Sequence, residues 1–411
     1  MDNYYKKQVA IAREFGVSEG TVTNWIKGAE EGRNNLQLLE VSGKNKIVRN
    51  EHNRVEMINL ASIGKKFRPE DAAVTLTVNN ELYEVMSQNN LFSMINSLTV
   101  KHEISLKYMY LGRGAKMWGK FFESLNNFGI YGKSSREYLW SVVLNYLSIK
   151  LDQFEEVNII DLGAGNFEPV RYWVEYFYNQ RKLGKYLPID ISKDLLEITV
   201  EGFKKDYSES LLAGHNSGDD VDYSIMVADL DKDSIEKNVN SIRNFDGRKK
   251  VLNLFLFLGG TIGNVEDQVR TLQNIKDAMS PDDYLIIDNF ADNIINRTIF
   301  PVAESDIYND NVLYIPDLLG LGEEYFEKEY RYNDTSSCRE YNLVMKENVI
   351  LSFDKLGVEV NLPKNTRINV WKHMRDTFEY IFDKTGKAGL SLESVIRHPS
   401  DPEVIYVSKT R

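Results

Sequence analysis

A single cysteine, Cys338, among 411 residues excludes an intramolecular disulfide framework and the small secreted scaffolds that depend on one. Histidine is also scarce. His52, His102, His215, His373 and His398 are scattered without metal-ligand spacing, so the sequence suggests no metal site. No apolar run approaches the roughly 18 residues that a membrane helix needs; the longest, Val251–Leu258, is strand-sized and contains Asn253. Met1–Ala10 lacks the charged and apolar regions of an export signal, so the expected location is the cytoplasm, with no membrane partner. Positive charge is in deficit as well. Lys and Arg number 50 against 61 Asp and Glu, and this net charge of -11 argues against a chain built as a whole to coat nucleic acid or anionic lipid. What is abundant is core material. With 42% hydrophobic and 11% aromatic residues the chain folds, and its length favours two or three domains.

From about Leu106 the sequence alternates strand-like and helix-like segments. An amphipathic helix over Arg136–Lys150 leads into the apolar run Val157–Ile160, followed by helix, strand Tyr186–Ile191, helix from Lys193, and strand-like Tyr223–Val227. Val251–Leu258, a further helix and Tyr284–Asp288 complete the series. Such alternation predicts an α/β fold, a mainly parallel sheet covered on both faces, with ligands at the carboxyl ends of the strands. The expected division is a helical module over 1–35, a linker or small α+β segment over 36–105, a nucleotide-binding core over 106–290, and a substrate-binding region over 291–411.

Asp161-Leu162-Gly163-Ala164-Gly165-Asn166 stands where the first strand turns into a helix, and its glycines allow backbone to approach a ligand. The third glycine of a dinucleotide fingerprint is replaced by Glu168, ahead of Pro169, which disfavours a pyrophosphate. Asp190 ends the second strand, positioned for a ribose diol, and Ala228-Asp229-Leu230 ends the third, able to face an adenine edge. Singly, Asp190 or Asp229 could equally be an N-cap or a solvated strand end. Together with Asp161, Gly163, Gly165 and Leu230 they describe binding of S-adenosylmethionine.

Phe257-Leu258-Gly259-Gly260-Thr261-Ile262-Gly263-Asn264 is very similar to the fourth-strand signature of the histidine-specific N-methyltransferases, whose best-known members trimethylate the α-amino group of histidine. Tyr110-Leu111-Gly112-Arg113-Gly114, Ile130-Tyr131 with Ser135-Arg136-Glu137, and Ile307-Tyr308-Asn309-Asp310 resemble the family's three tyrosine motifs. The resemblance covers 106–411. It implies a Rossmann-like class I methyltransferase sheet and S-adenosylmethionine as cofactor. It also implies that Tyr110, Tyr131, Asn264 and Tyr308 surround the amino and carboxylate groups of an amino-acid-like substrate, Asn264 and Tyr131 solvating the free-base amine. One motif departs from the pattern. Where the family holds imidazole with Glu and, two residues on, Ser, this chain has Asn369 and Trp371, so histidine is not the expected substrate. Trp371 could stack on a substrate side chain or serve as a core indole.

At the other end, Ala12, Gly16, Val22 and Trp25-Ile26 have helix-turn-helix spacing. Residues 1–55 contain nine Lys/Arg and seven Asp/Glu, too small a surplus for strong phosphate neutralisation. Docking or homodimerisation is therefore expected of residues 9–27 ahead of DNA contact. The leading expectation is an S-adenosylmethionine-dependent N-methyltransferase of an amino acid or amino-acid-derived small molecule. The alternatives are a DNA-binding regulator whose methyltransferase-like domain senses a ligand, and a peptide or protein methyltransferase.

Overall fold

The computed structural model describes residues 39–41, 45–49, 55–59, 72–125, 133–212, 226–243, 249–293, 297, 306–398 and 403–411; residues 9–27, expected to form a helix-turn-helix, and Tyr131 lie outside them. Strands β1 (Leu39–Val41), β2 (Asn45–Arg49) and β3 (Val55–Asn59) pair antiparallel in a sheet of their own. β4 (Ala73–Thr77) precedes two helices. The second, Gln88–Val100, is capped by the Ser87 hydroxyl and buries Leu91, Phe92, Met94, Ile95 and Leu98 on one face. The strands that follow are β5 (Glu156–Leu162), β6 (Leu183–Asp190), β7 (Met226–Val227), β8 (Val251–Phe257) and β9 (Tyr284–Phe290). After them come β10 (Phe326–Asn333), β11 (Cys338–Met345), β12 (Asn348–Phe353), β13 (Val358–Leu362), β14 (Arg367–Met374), β15 (Leu390–Arg397) and β16 (Glu403–Thr410).

The chain divides into two units. The first gathers residues up to Ile104 with Ile315–Glu329 and Asn342–Asn369, and contains a sheet in which β12 pairs antiparallel with β13 and parallel with β4. The second comprises Ser105–Tyr314, Tyr330–Tyr341 and Val370–Arg411. Its sheet has the order β15-β16-β9-β8-β5-β6-β7, parallel from β9 to β7, with β16 and β15 antiparallel at one end. β8 is nearly all buried, which is why its sequence reads as a continuous apolar run instead of an alternating one.

Within 36–105, expected to be a linker or a small α+β segment, the described residues hold β4, which pairs with β12 from far along the chain, and two helices. The core does not end at residue 290. β16 pairs with β9, Ile405 opposite Asp288, so the last strands complete the core sheet and do not belong to a separate substrate region. Among the described residues no helix is long and apolar enough to cross a membrane.

Candidate active site

The parallel strands of the second unit end at a cavity of about 240 Å³. At β5 the chain turns through Gly163 with φ +66, and a Cβ there would stand 2.7 Å from Thr261 Cγ2, so two strand-end turns approach too closely for a side chain. Asp190, at the tip of β6, accepts from Gly165 N–H at 3.0 Å and from Ser192 N–H at 2.9 Å. Burial raises its pKa to about 6, against the pull of the N–H groups of Ser192, Gly165 and Ile191. Tyr110 closes this side edge-on to Trp118, 5.3 Å between ring centroids; burial and then Asp190 push its phenol pKa up. Beyond β7, Asp229 pairs with Lys107 at 2.9 Å, and the same ammonium lies 3.0 Å from Glu266. Burial would raise Glu266, yet Lys107 brings it down to about 2.

The opposite wall begins at β8. Gly259 and Gly260 carry the chain into the one-turn 3-10 helix Thr261–Gly263, and Asn264 caps it, donating its backbone N–H to Thr261 O at 3.0 Å. Asn264 lines the cavity, and its Oδ1 is buried with no hydrogen-bond partner among the described residues. Asp288 Oδ1 fastens this turn by accepting from Gly260 N–H at 2.9 Å. Burial raises Asp288 to about 6, opposed by that N–H and by Arg136. Behind the turn lies His373. A Cβ on Gly263 would stand 2.2 Å from its Cε1, so the glycine is demanded by a ring from the far end of the sequence. Burial, then Arg375 and Arg339, lower the His373 pKa well below its ordinary value and keep the imidazole neutral.

Over residues 90–407 the sequence matches the family model described as histidine-specific methyltransferase, SAM-dependent. The chain belongs to that family. This histidine-specific methyltransferase family member is a methyltransferase with S-adenosylmethionine as its methyl donor. No curated protein matches the sequence. Solved structures similar to it include an S-adenosylmethionine-dependent methyltransferase from Clostridium acetobutylicum, with 8% identity, 71% of this chain and 98% of that chain covered, and a TM-score of 0.37. The sugar N-methyltransferase KedS8 from a Streptoalloteichus species has 11% identity, 68% and 87% coverage and a TM-score of 0.35. A Burkholderia thailandensis methyltransferase with bound 1,6-didemethyltoxoflavin and S-adenosylhomocysteine has 9% identity, 72% and 89% coverage and a TM-score of 0.32.

In this family member, Gly163, Gly165, Asp190, Asp229, Leu230, Tyr110, Asn264 and Trp371 all line the one cavity. Two expected site residues do not stand there. Asp161 is buried behind the glycine turn, where it accepts from the Tyr186 hydroxyl at 2.8 Å; it is absent from the cavity wall because its side chain turns inward. Asn369 falls in the first unit and donates to Asn342 Oδ1 at 2.9 Å, so it is not one of the cavity residues. Tyr308 is on the helix Asp306–Leu318. The cavity also recruits Arg136, from the second tyrosine motif, and residues that the sequence did not single out as site residues, among them Lys107, Asp288, Arg339, His373, Arg375 and Glu403.

The wall fits S-adenosylmethionine. Asp190 offers a carboxylate to a diol, the turn at Gly163 leaves backbone uncovered, and Asn166 Oδ1 is buried in the wall with no partner among the described residues. Because Asp190 titrates near 6, affinity for the nucleoside should fall on the acid side. We expect a Kd for S-adenosylmethionine that is flat above pH 7 and rises about tenfold per unit once Asp190 is protonated. Calorimetry across pH 5–8 on the wild type and on Asp190→Asn checks this; an acid limb that survives in the variant assigns the titration elsewhere.

Proposed function

We propose that this methyltransferase acts on the amine nitrogen of an amino acid or an amino-acid-derived small molecule other than histidine. The observation that carries this reading is Asn264. Its buried Oδ1, without a hydrogen-bond partner among the described residues, lies in the same cavity as Asp190 and the glycine turn, which supports a seat for an N–H donor at the methyl-acceptor end. A neutral amide suits the task. It accepts from an amine without the negative charge that would hold the ammonium form and suppress the lone pair. When bound, the sulfonium supplies an electrophilic methyl: the nitrogen lone pair forms the N–C bond, the C–S pair returns to sulfur, and one amine proton passes to water. What the protein adds is positioning. Asp288 and the Gly260 N–H fix the turn that bears Asn264, and the neutral His373 ring backs it, so the acceptor stands pre-aligned.

The reading against histidine is supported by the residues at 369 and 371. Asn369 is engaged with Asn342, and Trp371 presents a bulky indole to the cavity where the family motif has a small hydroxyl. A panel of amino acids and their derivatives, assayed by transfer of labelled methyl, tests the proposal. At least one amine should be methylated on nitrogen, and free histidine should turn over at less than about one-hundredth the rate of the best substrate. Comparable turnover of histidine overturns the exclusion, and methylation on oxygen, sulfur or carbon alone overturns the amine.

A further inference from the structure

We propose that the side chain of Asn166 seats the α-ammonium of the methyl donor and so sets which donor analogues the cavity accepts. The orientation of the donor takes Asn264 as the methyl end and to that extent rests on the amine reading above. Strand order gives the direction. β5 lies between β8 and β6, and β7 forms the edge beyond β6. With the ribose diol at Asp190, on the tip of β6, two arms of the nucleoside remain to be placed. The methyl has to reach Asn264, beyond β8, so the sulfonium arm crosses the end of β5 and the base lies toward β7. That crossing carries the amino-acid part over Gly163-Ala164-Gly165-Asn166. The backbone there is uncovered: a Cβ built on Gly165 meets nothing closer than Trp118 Nε1 at 3.7 Å and Gly163 O at 3.9 Å.

Asn166 is held in place from both sides. Gly165 donates its N–H to Asp190 at 3.0 Å, and its carbonyl accepts from the Thr199 hydroxyl at 3.0 Å. Phe167, on the other side, is 2% exposed and packs edge-on to Tyr186 and Phe203. Between these anchors Asn166 lines the cavity, and its Oδ1 is buried without a hydrogen-bond partner among the described residues. A buried amide oxygen can only accept, so it calls for an N–H or O–H. The donor molecule offers such hydrogens at its diol, its adenine amine and its α-ammonium. Asp190 takes the diol and the adenine amine lies with the base on the β7 side, which leaves the α-ammonium. The acid of this turn does not compete for it. Glu168 is drawn off to the Arg171 guanidinium at 3.0 Å and is not part of the cavity wall.

Calorimetry on the full chain tests the seat with S-adenosylhomocysteine, its desamino analogue, its decarboxylated analogue, and 5′-methylthioadenosine, which has neither group. In Asn166→Ala the Kd should rise roughly 10–100-fold for S-adenosylhomocysteine and for the decarboxylated analogue, the range of a hydrogen bond to a charged group. Both ligands without the amine should stay within about twofold of wild type, which also shows that the variant is folded. Asn166→Asp keeps an acceptor oxygen and adds negative charge. It should bind S-adenosylhomocysteine at least as tightly as wild type and the desamino analogue, whose carboxylate it repels, more weakly. Equal losses on all the ligands overturn the proposal and assign Asn166 to the shape of the loop. A loss that follows the carboxylate instead of the amine overturns it as well. Should Asn166→Ala not fold, Asn166→Asp decides alone, and weaker binding of S-adenosylhomocysteine overturns the seat. No methyl acceptor enters these titrations, so their outcome is separate from the amine reading: a chain that methylates no amine yet shows the amine-dependent loss keeps this seat.

Discussion

Asn264→Ala slows methyl transfer by about a hundredfold to a thousandfold and leaves the dissociation constant for S-adenosylmethionine within about threefold of wild type. The asymmetry follows from where the side chain stands. The backbone of the turn is held by Asp288 through Gly260 N–H and by the bond from Asn264 N–H to Thr261 O, and truncation at Cβ touches neither. Because Oδ1 has no partner among the described residues, its removal breaks no bond of the fold. Asp190, Gly163 and Gly165 lie on other strand ends and keep their geometry. What is lost is the acceptor that orients the amine, and misplacement by about an ångström can cost a hundredfold. Asn264→Asp separates orientation from basicity. A carboxylate still accepts from the amine but favours ammonium, so KM should stay near wild type while kcat falls and the rise of the pH–rate profile moves to higher pH. Single-turnover rates alongside calorimetric Kd values check both variants; equal losses in rate and cofactor affinity would move Asn264 to the cofactor side.

How much of this site the sequence discloses depends on how locally each part is built. The turn from Asp161 to Asn166 and the acid at Asp190 are strand-turn-helix features, set by residues a few positions apart, and they are legible. β5 and β8 are legible for a similar reason, since a strand buried on both faces spells a continuous apolar run. Asp161 misleads because adjacency to the glycines suggests a ligand contact, whereas its side chain turns inward to Tyr186. Lys107 meets Asp229 across 122 positions of sequence, and no short-range pattern announces such a pair. His373 reads as one of five scattered histidines, yet it is the ring against which Gly263 packs, so half the reason for the fourth-strand glycines lies more than a hundred residues away. The strands β15 and β16 escape recognition because they return to the sheet antiparallel after a long excursion through the other unit.

Lys384→Met lowers the stability of the folded chain by about 3–5 kcal/mol, more than any surface substitution should. Lys384 and Asp376 are 0% exposed and 2.7 Å apart. Burial lowers the lysine pKa, and Asp376 opposes it. The pair sits in a chain of bonds that reaches both walls of the cavity. Asp376 accepts from Asn289 Nδ2 at 2.8 Å, while the ammonium donates to Gln268 Oε1 at 3.0 Å, and Gln268 Nε2 donates to Ile262 O at 2.8 Å, inside the turn that carries Asn264. Removing only the lysine strands a buried carboxylate, and that penalty, not the loss of an attraction, supplies most of the effect. Lys384→Met combined with Asp376→Leu should therefore recover part of the loss, limited by the Asn289 and Tyr406 donors that Asp376 no longer serves. Urea midpoints of the two variants decide the matter: a double variant no more stable than the single would mean that shape, and not stranded charge, governs this part of the core.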